Sequence, residues 1–168
     1  MGRWFHSLAA LALALGGCDI RHPPSPIELD GELNEPLWNG AVRTGAFVNE
    51  QGQPAAPYSD ARFVVTRDAV FVALYAADED IRSDDAFELE IGGKRLRYTP
   101  ADKGPNVGVD MDGTLNDSSD LDEEWIIETR IPRADLPRGE VPVHVRRCDT
   151  PKDGIRRCGD TRLSLRLP

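Results

Sequence analysis

Carboxylates dominate the chemistry this chain can offer. Asp110, Asp112, Asp117, Asp120 and Asp122 crowd one short stretch, with Asn116 among them. Hard oxygen ligands on a turn-rich loop suit calcium, which tolerates a flexible coordination geometry. The same acids would serve equally as a solvated loop that keeps a strand edge from pairing with another molecule. A second group, Asp78, Glu79, Asp80, Asp84 and Asp85, poses the same choice. Nucleophilic catalysis finds no support. Past the N-terminal apolar run the histidines are His22 and His144, and His144 falls in a strand-like stretch with no evident triad partner. No carboxylate pair sits in a context that would raise one pKa for glycoside cleavage. An enzyme is therefore not expected.

One acidic motif invites a catalytic interpretation. Asp110-Met111-Asp112-Gly113-Thr114 resembles the opening of haloacid-dehalogenase-type phosphatases, in which the first Asp attacks phosphorus and the second does acid–base work. That chemistry belongs on a parallel α/β sheet with further groups downstream. Here Gly104-Pro105-Asn106 precedes the motif in place of a strong apolar strand, and the residues after the motif have the pattern of β-strands. The spacing does not fit an EF-hand either. Met111 and His144 are the one pair that could hold haem, and a lone strand histidine is more simply structural.

The cysteines sort by compartment. Leu15-Gly16-Gly17-Cys18 ends an Ala/Leu run that follows Arg3 and is too short to span a bilayer. It resembles a bacterial lipoprotein signal, which implies removal of residues 1–17 and acylation of Cys18. The expected location is the bacterial cell envelope, anchored to a membrane by lipid. Residues 18–26 form a tether, with Pro23, Pro24 and Pro26 favouring an extended spacer. Cys148 and Cys158 remain, in an oxidising compartment, flanking a segment rich in turn formers. A disulfide is expected between them. No neighbouring His or Cys completes a zinc set.

The elements that must position these groups are strands. The chain has 168 residues, enough after processing for one domain with a sizeable core. Its net charge of −9 argues against nucleic acid as a partner and against an electrostatic grip on anionic lipid. From Ile27 the pattern has period two. Phe87, Leu89 and Ile91 alternate with Glu88 and Glu90, and Gly92-Gly93 then turns the chain into Leu96 and Tyr98. Trp125, Ile127, Thr129 and Ile131 share a face, as do Val141, Val143 and Val145, and Leu163, Leu165 and Leu167. The run Ala69 to Ala77 is apolar on both faces and reads as a central strand, reached by a hairpin at Arg67-Asp68. About eight strands with no long amphipathic helix predict an all-β, antiparallel two-sheet sandwich over residues 27–168. Pro36 to Ala41 and Pro132 to Leu136 each allow one helical turn. Asn34 is placed to cap the first, and Leu33, Leu37 and Trp38 are placed to bury as a lid over one end of the sandwich.

Four motifs in order resemble one family. Leu29-Asp30-Gly31-Glu32-Leu33-Asn34-Glu35-Pro36-Leu37-Trp38 is similar to the opening of family 9 carbohydrate-binding modules and their DOMON-like relatives. The strand Asp68 to Ala77 with its acidic exit resembles that family's central strand. Asp84-Asp85 before Phe87-Glu88-Leu89 resembles the next. Trp125, Glu128, Ile131, Pro132 and Leu136 resemble the late W-x-x-E-x-x-I-P-x-x-x-L signature. The resemblance implies an immunoglobulin- or jelly-roll-like β-sandwich. It implies a non-catalytic module that in some members binds sugars with structural calcium. Asp30, Gly31, Glu35, Trp38, Trp125, Glu128 and Pro132 would be fold-motif positions. No sugar clamp can be transferred: Trp38 and Trp125 are motif residues, Tyr75 is expected buried in the central strand, and Tyr58 is expected exposed. The chain is expected to be a lipid-anchored binding module for carbohydrate or cell-envelope glycan. The alternative is a structural or interaction lipoprotein that kept the fold and lost the sugar.

Overall fold

A computed structural model describes residues 27–168. Cys18, the signal over residues 1–17 and the tether over 18–26 lie outside the described residues. Among the described residues, nine strands form two antiparallel sheets. They are β1 (Val42–Arg43), β2 (Ser59–Val65), β3 (Ala69–Ala77), β4 (Ala86–Ile91), β5 (Lys94–Tyr98), β6 (Val107–Asp112), β7 (Glu124–Pro132), β8 (Gly139–Asp149) and β9 (Arg157–Leu167). The five-stranded sheet runs β1-β2-β3-β7-β6 and the four-stranded sheet β5-β4-β8-β9. Both predicted hairpins form, at Arg67-Asp68 and at Gly92-Gly93. Both glycines of the second have positive φ, as a tight two-residue turn requires.

Period-two patterning builds the core. Phe87, Leu89 and Ile91 meet Val70, Val72 and Leu74 between the sheets, with Trp125 and Ile127 beside them. Phe87 packs against Trp125 in a tilted pair at a centroid distance of 5.0 Å and meets Phe47 edge-on. The central position of β3 also holds, for its other face carries Ala69, Phe71 and Ala73 into a second, smaller core with Ile27 and Trp38. Trp38 sits on a 3-10 turn, Pro36–Gly40. This layer covers the outside of the five-stranded sheet, whereas the sequence suggested a lid over one end of the sandwich. Leu37 is 41% exposed and does not join it. Glu35, not Asn34, precedes the turn and makes no capping bond; Asn34 donates instead to Glu32. β7 is buried on both faces, because Ile126 and Glu128 lie under cover as well as the expected Trp125, Ile127, Thr129 and Ile131.

Cys148 and Cys158 are bonded across directly paired positions of β8 and β9. The bond closes the turn-rich loop expected between them. Reducing it, or replacing both cysteines by serine, is expected to remove about 2–3 kcal/mol. At this size that is a Tm lowered by roughly 4–12 °C, read by melting with and without reductant. An unchanged Tm would show that the β8–β9 ladder holds the loop by itself.

Candidate functional site

The motif residues converge first on Glu128. Its side chain is fully buried on the outer face of β7. Oε2 accepts from the Asp30 and Gly31 backbone N–H groups at 3.1 and 2.9 Å, and Oε1 from the Trp38 indole at 2.8 Å. Burial pushes the carboxyl up, while the Gly31, Asp30 and Trp38 donors pull it back down. The chain passes so close here that a Cβ on Gly108 would lie 2.2 Å from the Leu29 backbone, and one on Gly31 2.3 Å from Asp110 N. Glu35 joins the group through a bond from Glu28 N–H, leaving Oε2 buried without a partner. Pro132 ends β7 and leads into a single 3-10 turn, Arg133–Asp135. These residues clamp the outer layer to the sheet.

Trp125 belongs to a second buried network, at one end of the sandwich. Its indole donates to Asp78 Oδ2 at 3.0 Å. Arg147, also buried, donates to the same oxygen at 2.8 Å, to Asp149 Oδ1 at 3.1 Å, to Ser59 Oγ at 3.0 Å and to the Ala77 carbonyl at 2.7 Å. Asp85 accepts from the Arg82 and Thr150 backbone N–H groups. Burial pushes Asp149 up to about 7, with Arg147 opposing and the Asp78 and Asp85 charges adding. Burial likewise pushes Asp85 up to about 6. Sequence reasoning named Asp78 and Asp85 but missed Arg147 and Asp149. Their alternation with Val143 and Val145, on the core face of β8, was the available signal.

The five loop acids are not brought together as a calcium site. Among the described residues, the one acid trio whose ligand atoms lie within 4.8 Å of one another is Asp78, Asp85 and Asp149. Asp122 is buried with both oxygens taken, by Ile81 N–H at 2.6 Å and Thr114 N–H at 2.8 Å, so it staples the loop to the sandwich. Asp117 accepts from Ser119, which lowers its pKa. Asp110 and Asp112 lie on β6, an edge strand, and Asp120 is half-buried. The phosphatase-like motif thus sits in an antiparallel sheet that lacks the parallel framework its chemistry needs. Met111 and His144 lie in different sheets, so they do not form a haem pair. His144 does have a partner, Asp160 Oδ2 at 2.9 Å.

The two sheets differ in what covers them. The outside of the five-stranded sheet is half covered by the Trp38 layer. Its open half carries Tyr58 and Tyr75, edge to face at 5.9 Å, with Tyr58 bonded to Asp60. Tyr75 is therefore only half-buried, not core. The outside of the four-stranded sheet is a polar trough. Val141, Val143 and Val145 face the core, so His144 and Arg146 point outward. Three adjoining clefts, of ≈ 390, 220 and 540 Å³, all include His144. Glu88, Glu90, Arg95, Arg97, Arg146 and Arg162 provide the charged groups around it. Glu90 pairs with Arg95, while Arg162 has no side-chain partner among the described residues. No Phe, Tyr or Trp lines the trough among the described residues.

No protein-family model matches the chain, and no curated protein does. Its architecture is shared by solved structures, two of which have a TM-score above 0.5. One is a family 9 carbohydrate-binding module from Caldicellulosiruptor kristjanssonii in complex with cellotriose, with a TM-score of 0.54 at 12% identity, over 81% of this chain and 78% of that one. The other is a family 9 module from the same organism in complex with glucose, with a TM-score of 0.53 at 11% identity, over 81% and 80%. The two-sheet β-sandwich of this chain is the fold of family 9 carbohydrate-binding modules.

Proposed function

We infer that this protein is a lipid-anchored, non-catalytic binding module of the bacterial cell envelope, and that it presents the trough of its four-stranded sheet to a glycan. The observation that carries the reading is an uncovered, concave, hydrogen-bonding sheet face on a fold whose solved neighbours are described in complex with cellotriose and glucose. Concave surfaces with a few convergent polar groups are the usual place for a small-molecule ligand. Arg146, Arg162 and His144 offer donors to sugar hydroxyls or to the carboxylates of acidic sugars, and Glu88 and Glu90 offer acceptors. Cys18 would supply the anchor.

A second reading is favoured by one observation. The trough holds no Phe, Tyr or Trp among the described residues, and both tryptophans beyond the signal are buried in structural roles. The protein would then be an interaction lipoprotein that kept the fold without the sugar.

A glycan array with the full chain in detergent separates the two. Saturable binding to a defined glycan supports the module, and no binding by a cooperatively melting protein supports the interaction lipoprotein. Arg146→Ala and Arg162→Ala should each weaken glycan binding by about tenfold, the worth of one charge-assisted hydrogen bond, with Tm unchanged. Tyr58→Ala, on the opposite sheet, should leave binding intact. Loss of binding in Tyr58→Ala alone would move the site to the tyrosine patch.

A further inference from the structure

We propose that the outer edge of β9 is a docking site for an extended acidic segment of another protein, which joins the four-stranded sheet as a fifth strand. β9 is the last strand of that sheet and pairs on one side only, with β8.

The backbone fixes which residues face outward. Asp160 N–H donates to the Val48 carbonyl and Val48 N–H donates to the Asp160 carbonyl, each at 2.9 Å. The Cα atoms of Cys148 and Cys158 are 4.2 Å apart, the short spacing of an opposed pair that exchanges no backbone bonds. Both observations turn the even-numbered residues of β9 away from β8. Arg162, Ser164 and Arg166 therefore present their N–H and C=O groups at the open edge. Among the described residues, none of these six groups has a hydrogen-bond partner. Val48 covers only the first rung, for Phe47 beside it already donates to the Ser59 carbonyl of β2.

An open edge invites pairing, and proteins commonly blunt it with a short strand, a proline or a bulge. β9 has none of these. It runs for 11 residues without proline and stays in unbroken register with β8.

Charge selects the occupant. β9 carries Arg157, Arg162 and Arg166 against a single acid, Asp160, on a chain of net charge −9. Arg162, Ser164 and Arg166 are exposed, and neither of the two arginines has an ion-pair partner among the described residues. A second β9 laid antiparallel about Ser164 would set Arg162 against Arg166 twice, and like charges directly opposed disfavour pairing. A strand with acids opposite Arg162 and Arg166 fits instead. The residues between those acids alternate in direction, so the two beside Leu163 and Leu165 would face the rim of the core and should be apolar. The segment thus reads acid, apolar, polar, apolar, acid. Main-chain bonds would supply its affinity and the alternating side chains its selection.

The test is amide hydrogen exchange by NMR on the full chain in detergent, with the capped peptide Thr-Glu-Val-Thr-Val-Glu-Thr as probe. In the free protein the Arg162, Ser164 and Arg166 amides should exchange fast, and those of Thr161, Leu163 and Leu165, which face β8, slowly. Saturating peptide should slow the first set by about tenfold or more. A peptide with lysine at both glutamate positions should bind at least about tenfold more weakly. Methylating the two glutamate nitrogens should abolish binding, because those N–H groups donate to β9. Methylating the two valine nitrogens, which face away, should spare it. The double variant Arg162→Glu, Arg166→Glu should prefer the lysine peptide. Exchange that the glutamate peptide leaves unchanged overturns the proposal. Equal slowing by the lysine peptide, any other methylation pattern, or a double variant that still prefers glutamate overturns it as well. So does slow exchange already present in the free protein: if it grows with concentration a second copy holds the edge, and if it does not the chain covers its own edge.

Discussion

Glu128→Ala should lower Tm by roughly 6–20 °C at this chain length. The variant strands three donors at once: the Asp30 and Gly31 N–H groups and the Trp38 indole, all of which end on this carboxylate. A buried donor left unsatisfied costs about 1–3 kcal/mol; the Asp30 N–H is only part-buried and can turn to water, so the whole loss should lie toward the low end for three donors, about 3–5 kcal/mol. Packing adds to it, for Glu128 is fully buried. Glu128→Gln should be milder but still destabilising. An amide offers one acceptor oxygen, whereas the three donors use both oxygens of the carboxylate, so the new NH₂ must face a donor. The damage should be local at first. Hydrogen exchange at Asp30 and Gly31 should accelerate before exchange in β3 and β7 does, because the outer layer can detach while the main core between the sheets persists. A Glu128→Ala protein with unchanged Tm would mean that the small core around Trp38 holds the layer without its polar clamp.

Arg147→Met should be of similar size, about 3–5 kcal/mol, through a different cause. Methionine fills much of the space but removes the guanidinium that faces Asp78 and Asp149 and satisfies Ser59 and the Ala77 carbonyl. Asp78 and Asp149 would then lose the one buried guanidinium that bonds to them. The guanidinium also lies 6.0 Å from the Trp125 ring, so the packing of the aromatic core is touched. Arg147→Lys should fall between the two. It restores the charge, but an ammonium is a compact point donor that cannot span acceptors on β3 and β8 as a planar fork does. Denaturant melts of the three proteins give the order, and a lysine variant as stable as the parent would show that charge alone matters there.

Both variants strike residues whose meaning the chain concealed to different degrees. Glu128 stood out in the sequence as part of a W-x-x-E-x-x-I-P signature, but nothing local said that its oxygens face Asp30 and Gly31. Arg147 was missed. In a strand of alternating valines it reads as one more exposed arginine, like Arg146 beside it, yet it occupies the inward phase and is 3% exposed.

What the sequence determined by itself is the set of properties that local periodicity carries. Alternation of apolar and polar residues set the strands, Gly92-Gly93 set a hairpin, and the doubly apolar run from Ala69 to Ala77 set the central strand, since side chains on successive residues must point to opposite faces. Cys148 and Cys158 could be paired from their turn-rich separation. Tertiary structure decided everything that depends on which strands become neighbours. The Glu128 clamp joins positions 90 to 98 residues apart, and the buried acid trio draws on β3, β4 and β8. Five acids adjacent in sequence looked like a metal site, yet the structure spreads them over an edge strand and its loop. Three acids far apart in sequence form the cluster instead. Ligand geometry depends on where side chains end in space, and the stacking of two sheets fixes that only after the strands have paired.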